Sequence, residues 1–331
     1  MNRPDRLRCA LAGLGTALLV APVGGSATEV RERRTFAPLE AAAALDLDKV
    51  ALGRKLFSDP ILSRSQAISC ASCHDLARGG TVSLSSAIAN DGKEHGFNAP
   101  TVFNVAANYL LGWRGTHKSL EVLNEKVLLD PRLMAADWSL LADRLDQGRP
   151  YASWFRRIYG RKADRTNVLD ALVTFQRSLV TANSRFDRHL RGDASALTPS
   201  ERKGLQLFMS YGCASCHQGV NLGGNMRQRF GIFSDPAGPS VNETASPPVG
   251  TPASEEDLFR VPSLRNVAIT GPYFHDGRVD SLSEAVSIMG RRQLGQTLAP
   301  SDIEAIVAFL NTLTGEYDGR PLENPATSID P

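Results

Sequence analysis

The sequence predicts an all-α protein built in two blocks, and three observations carry that prediction. Apolar residues recur at helical spacing in stretch after stretch, and no strand-like alternation of comparable length competes with them. The pentapeptide CASCH occurs twice, at Cys70–His74 and Cys213–His217, 143 positions apart. With 331 residues, 42% of them apolar and 22% charged, the chain has the balance of a folded protein of one large or two ordinary domains.

The chain opens on a basic stretch, MNRPDRLR, followed by an uncharged run from Cys9 to Val23 and the small residues Gly25, Ser26 and Ala27. This is the pattern of a secretory signal cut after Ala27. The run is too short to cross a bilayer comfortably and no later one reaches that length. Residues 1–27 therefore read as a signal, and the mature chain as exported to the periplasm with no membrane span. Without that segment the chain carries 34 basic and 34 acidic residues, which removes any electrostatic case for binding nucleic acid.

The first helix is expected over Asp48 to Phe57, where Leu52 and Leu56 share a face and Asp59-Pro60 stops the run. Trp138, Leu141, Ala142 and Leu145 make a second stripe; Val168, Leu172, Phe175 and Leu179 make a third. Thr198-Pro-Ser-Glu201 is a capping box with proline at the first helical position, opening a helix that runs into Gly212. The same box at Ser281 and at Ser301 precedes the stripes Leu282/Ala285/Val286/Met289 and Ile303/Ile306/Val307/Leu310. The proline-rich stretch from Ser234 to Asp257 reads as an irregular loop. RGDASAL, Arg191 to Leu197, is the natural divide between a first block, 28–192, and a second, 193–331.

Of five cysteines, Cys9 leaves with the signal and the other four all lie in the CASCH copies. C-x-x-C-H attaches haem through one thioether per cysteine and turns the adjacent histidine under the ring as the proximal iron ligand. The alternatives are a thiol redox pair, which has no use for a histidine directly after it, and a zinc site pooling the two pairs across the chain. The motif thus predicts two c-type haems, one on Cys70, Cys73 and His74 and one on Cys213, Cys216 and His217. The fold class becomes two cytochrome c-type haem domains packed together.

The segments ISCASCHDLARGG, NAPTVFNVAAN, the tract at Trp113, GCASCHQGVNLGG and FRVPSLRNVAITGPYFHDGRVDSLSEAV together resemble the bacterial di-haem cytochrome c peroxidases, a family that includes the MauG-type protein oxidases. The match runs from about Val50 to Gly315. It implies a protein that reduces hydrogen peroxide with electrons from a small monohaem cytochrome c or a cupredoxin; homodimers are common in the family.

The resemblance also implies roles. Met289 falls at the axial methionine of the second, electron-receiving haem; from periodicity alone it is a residue of an apolar helical stripe. Trp113 matches the tryptophan between the haems. Asn98, Thr270 and Pro272 match the ligands of a calcium ion, a hard cation suited by amide and carbonyl oxygens. His275 matches a residue near the second haem, bonding a propionate. His189 reads as a solvated helix end with no role.

Three departures bear on the first haem, the site of peroxide chemistry in the family. The distal histidine of many members falls at Asn90, a poor iron ligand, and His95 is close enough in sequence to substitute. The glutamine and glutamate placed over the iron fall at Leu123 and Leu133, which can neither take nor return a proton. His117, Glu121, Glu125 and Asp130 are possible replacements, each also readable as solvated surface. Two other readings follow: a MauG-like oxidase, against which Met289 argues because those members carry tyrosine there, and a non-enzymatic electron-transfer or ligand-sensing cytochrome.

Overall fold

A computed structural model of the chain describes residues 27–82, 84–86, 92, 96–233 and 254–323. Residues 1–26 of the expected signal, Asn90, His95 and most of the proline-rich loop lie outside the described residues. Among the described residues ten α-helices follow in order: α1 (Ala27–Thr35), α2 (Leu47–Ser58), α3 (Leu120–Leu129), α4 (Trp138–Gln147), α5 (Tyr151–Tyr159), α6 (Arg165–Ser178), α7 (Arg185–Leu190), α8 (Pro199–Ser210), α9 (Leu282–Leu294) and α10 (Pro300–Asn311). A three-residue antiparallel ribbon joins β1 (Arg227–Arg229) to β2 (Leu258–Arg260). No described helix is long and apolar enough to cross a membrane.

Local chemistry sets the helix starts. Thr198 and Glu201 form the expected reciprocal box at α8, and Ser281 accepts from the Glu284 amide at α9. The box expected at Ser301 does not form. α10 begins earlier, at Pro300, with Ala299 as its cap and no side-chain capping bond. Proline at the first helical position presets φ and lacks the amide that a cap would satisfy, so the helix starts there and Ser301 is already inside it.

Two apolar cores result. In the first, Leu52, Leu56 and Phe57 of α2 pack with Leu141 and Leu145 of α4, Phe155 of α5 and Leu172 and Phe175 of α6. In the second, Phe186, Leu205 and Phe208 pack with Ile306, Phe309 and Leu310. The apolar side chains change partners between Leu179 and Phe186, ahead of the RGDASAL stretch. The chain ends cross over as well: Phe36 joins the second core, whereas Tyr317 and Leu322 pack on the first.

Both cores are closed by a helix crossing at glycine. A Cβ on Gly53 of α2 would overlap the Ala171 carbonyl of α6, and one on Gly204 of α8 would overlap the Ala305 carbonyl of α10. The correspondence continues beyond the helices. Asn104 and Asn266, both at positive φ (58° and 62°), open the short turns Val105–Ala107 and Val267–Ile269. Isolated bridges Leu111 to His117 and Tyr273 to Val279 then lead to the caps Ser119 and Ser281 of α3 and α9. The two asparagines meet at Thr181, whose hydroxyl accepts from Asn104 Nδ2 at 2.7 Å and from Asn266 Nδ2 at 3.0 Å. The halves are thus structural repeats sharing a buried polar junction.

Candidate functional site

α8 ends just before Gly212, whose positive φ of 92° turns the chain into the tight turn Cys213–Ser215. The His217 amide donates to the Cys213 carbonyl at 3.0 Å. The turn brings Cys213, Cys216 and His217 to the wall of one cavity of about 260 Å³ between α8, α9, α10 and the β1/β2 ribbon. Apolar side chains, among them Phe208, Phe230, Phe259 and Leu298, line most of it, and Met289 of α9 opens onto it from another side. Met289 does not belong to the second core.

The His217 ring faces this cavity, yet protein atoms surround it, and burial pushes its pKa down to about 4. Its Nδ1 lies 3.2 Å from the Leu222 carbonyl, which commits that nitrogen and leaves Nε2 with a lone pair for a metal. Burial pushes the Cys213 thiol up to about 11 and raises that of Cys216. Neutral thiols without a neighbouring cation lack the activation a redox cysteine needs. An imidazole, a thioether and two thiols around an apolar cavity are a donor set that would fit a haem, the thiols for attachment and the nitrogen and sulfur for its iron.

The first motif is built alike. The Ser69 amide donates to Ser72 Oγ at 2.9 Å, and the His74 amide to the Cys70 carbonyl at 2.9 Å. Burial lowers the His74 pKa; its Nδ1 lies 3.3 Å from the Gly80 carbonyl, and the Pro100 carbonyl is a second partner of the ring. Burial pushes the Cys70 thiol up to about 12 and raises that of Cys73. Cys70 packs on the first core and Cys213 on the second, so the two cysteine pairs do not pool as the zinc alternative requires.

Trp113 stands between the motifs. It borders the second cavity, and its indole N–H donates to the Asn98 carbonyl at 2.7 Å, two residues before the Pro100 carbonyl that holds His74. The Trp113 side chain is thus tied to the backbone of the segment that passes beside the first imidazole. Asn98, Thr270, Pro272 and His275 border the same cavity. The Asn98 amide donates to the His275 carbonyl at 2.8 Å, tying the first half to the second. His275 is stacked on Phe259 at 4.0 Å, and burial depresses its pKa.

The departures also have a structural setting. Leu123 packs on Leu111, Leu120 and Val173, a small apolar cluster of its own. Leu133, half-buried, lies in the turn after α3. Counting eight residues from the equivalent caps gives Met289 after Ser281 and Val127 after Ser119, so α3 offers the first site no thioether.

The three carboxylates among the possible replacements are engaged elsewhere, whereas the contact of His117 is a backbone one. Glu125 accepts Arg165 at 2.5 Å through both oxygens and the Trp138 indole at 2.9 Å. The Arg165 bonds above all, with that of Trp138, hold its carboxyl below the usual range. Glu121 is bound by Ser119 at 2.6 Å and Arg177 at 3.4 Å; Asp130 caps the Arg132 amide at 2.8 Å; the His117 carbonyl serves the Leu111 bridge at 2.8 Å.

One expectation is corrected. His189 is not a solvated helix end: its side chain is 14% exposed, its Nε2 lies 3.0 Å from Glu32 Oε2 of α1, and its ring stacks on Phe186. The N-terminal helix folds back over the end of α7, which a local reading of α7 has no means to anticipate. Sequence reasoning also missed the carbonyls that orient the two histidines, since a backbone acceptor carries no residue signature. It passed over Arg260, 5% exposed and bordering the second cavity, whose only signal is a charge inside the apolar tract LFRVP.

A family model described as di-haem cytochrome c peroxidase matches residues 47–195. The chain is 39% identical over 271 residues to cytochrome c551 peroxidase of Pseudomonas aeruginosa, covering 80% of this chain and 78% of that protein. It is 33% identical over 305 residues to methylamine utilization protein MauG of Methylorubrum extorquens, covering 88% and 85%. Among solved structures, a MauG-like protein associated with microbial copper homeostasis is similar with a TM-score of 0.71 at 26% identity, over 88% of this chain and 97% of that one.

Proposed function

Because this chain belongs to the di-haem cytochrome c peroxidase family, we propose that it is an exported, periplasmic enzyme that reduces hydrogen peroxide to water with electrons from a small cytochrome c or a cupredoxin. The observation that carries the reading is the single apolar cavity onto which Cys213, Cys216, His217, Met289 and Trp113 all open. When bound, the two haems supply the redox chemistry, two electrons and two protons per peroxide giving two waters.

In this reading Cys70 and Cys73, and Cys213 and Cys216, hold the haems covalently, with His74 and His217 as proximal ligands in a first domain, 28–192, and a second, 193–331. The carbonyls of Gly80 and Leu222 fix each imidazole as its Nδ1–H tautomer. Met289 would offer its thioether to the second iron, a ligand that raises the potential and favours electron uptake. Trp113, bonded to the Asn98 carbonyl, would carry electrons toward His74. Val127 stands at the register of Met289, so α3 would give the first haem no such ligand. Asn98, Thr270 and Pro272 would hold calcium at the seam of the halves.

A second reading, a cytochrome that binds small ligands without turnover, is favoured by the apolar packing of Leu123 and by the structural engagement of Glu121 and Glu125. Stopped-flow mixing of the oxidised holoprotein with peroxide, with turnover of reduced cytochrome c followed in parallel, separates the two. Rapid reaction and turnover are expected of the peroxidase. Sluggish reaction with no turnover would replace it by the second reading.

A further inference from the structure

We propose that Arg260 is the cation that receives a carboxylate of the second haem and so raises its affinity for an electron. The inference rests on the reading of the second cavity as a haem site.

The β1/β2 ribbon carries three arginines, with Arg227 opposite Arg260 in register. Two of them have acids. Arg227 pairs with Glu255 at 2.6 Å, and Arg229 lies 3.8 Å from Asp257. Arg260 is the most buried of the three, at 5% exposed, and among the described residues no carboxylate lies within ion-pair distance of it.

Its contacts hold it in place without neutralising it. Its amide donates to the Trp113 carbonyl at 2.7 Å, its Nε to the Gly112 carbonyl at 3.0 Å, and its guanidinium carbon lies 5.9 Å from the Trp113 ring centre. Burial pushes its pKa down to about 10, with no opposing charge to offset the loss of water. A buried unpaired cation is costly, and proteins carry one where a ligand's charge completes the pair. The residue borders the cavity that takes Cys213, Cys216 and His217, and haem brings two carboxylates of its own. A planar guanidinium with its Nε already committed keeps its two terminal nitrogens for a carboxylate.

The pair has a redox consequence. A cation fixed beside the ring favours the reduced iron, and Arg260 stands against Trp113, with its guanidinium carbon near the indole ring.

The test is a spectroelectrochemical titration of holoprotein carrying Arg260→Gln or Arg260→Lys, after haem content per chain has been measured. Arg260→Gln is expected to lower the reduced-to-oxidised ratio of the second haem about tenfold at fixed potential, a shift of about 59 mV for one electron. Arg260→Lys should recover most of it, and the first haem should not move. Unchanged potentials in Arg260→Gln with two haems bound would overturn this assignment alone; fewer than two haems in the unmodified protein would overturn the di-haem reading with it. If Arg260→Gln fails to assemble, the crystal structure of the unmodified holoprotein decides. A haem carboxylate about 2.7–2.9 Å from the guanidinium is expected, and a guanidinium bonded only to protein acids refutes the proposal.

Discussion

At the scale of single residues, the same pentapeptide acquires different surroundings in its two copies. The imidazoles are treated alike: each is half-buried and bonded through Nδ1 to a backbone carbonyl. Without a metal, burial pushes the His217 ring down to about 4, below the roughly 6.5 of a free imidazole, so at neutral pH its Nε2 keeps the lone pair that the proposed iron would take.

What differs is the residue eight positions after the equivalent cap: Met289 in one half, Val127 in the other. With Leu123 and Leu133 where acid–base groups are expected, proton transfer is the deficiency to repair. Leu133→Glu should therefore speed the peroxide reaction, by up to the roughly 10²–10⁴-fold that a positioned general base provides. Stopped-flow rates check it, and no change would mean that position 133 does not face the reacting iron.

At the scale of elements, the helix pairs α2/α6 and α8/α10 are held close by Gly53 and Gly204, each against a carbonyl of the facing helix. Alanine at either position must push the helices apart. Gly204→Ala is expected to cost about 1–3 kcal/mol, the range for overpacking a tight interior, despite the better helix propensity of alanine. Chemical denaturation measures it, and a neutral or stabilising result would mean the crossing is looser than described. The helices α2, α4, α6, α8, α9 and α10, and the caps of α8 and α9, were legible because they depend on neighbours in sequence. The glycine crossings were not, since a mid-helix glycine reads only as a weak helix former until its partner is known. The start of α10 was misread for a related reason: two local signals, Pro300 and Ser301, competed, and the proline prevailed.

At the scale of the whole molecule, the halves are joined by groups far apart in sequence: Thr181 with Asn104 and Asn266, and the Asn98 amide with the His275 carbonyl. A calcium ion on Asn98, Thr270 and Pro272 would act at the same seam. Removing it with a chelator should lower the thermal midpoint and slow electron transfer between haems, and calcium, but not magnesium, should restore both. Identical melting curves with and without chelator would remove the ion from this account.

The sequence by itself determined the helical class, the two CASCH motifs and the family, because each is written in adjacent residues and their spacing. Tertiary structure alone decided that Met289 opens on a cavity rather than filling a core, that the Trp113 indole is bonded to the Asn98 carbonyl, that His189 lies against α1, and that Arg260 is left without an acid among the described residues. Each of these depends on which distant segment closes over the residue, and burial, electric field and hydrogen-bond partners are properties of that closure rather than of local spacing.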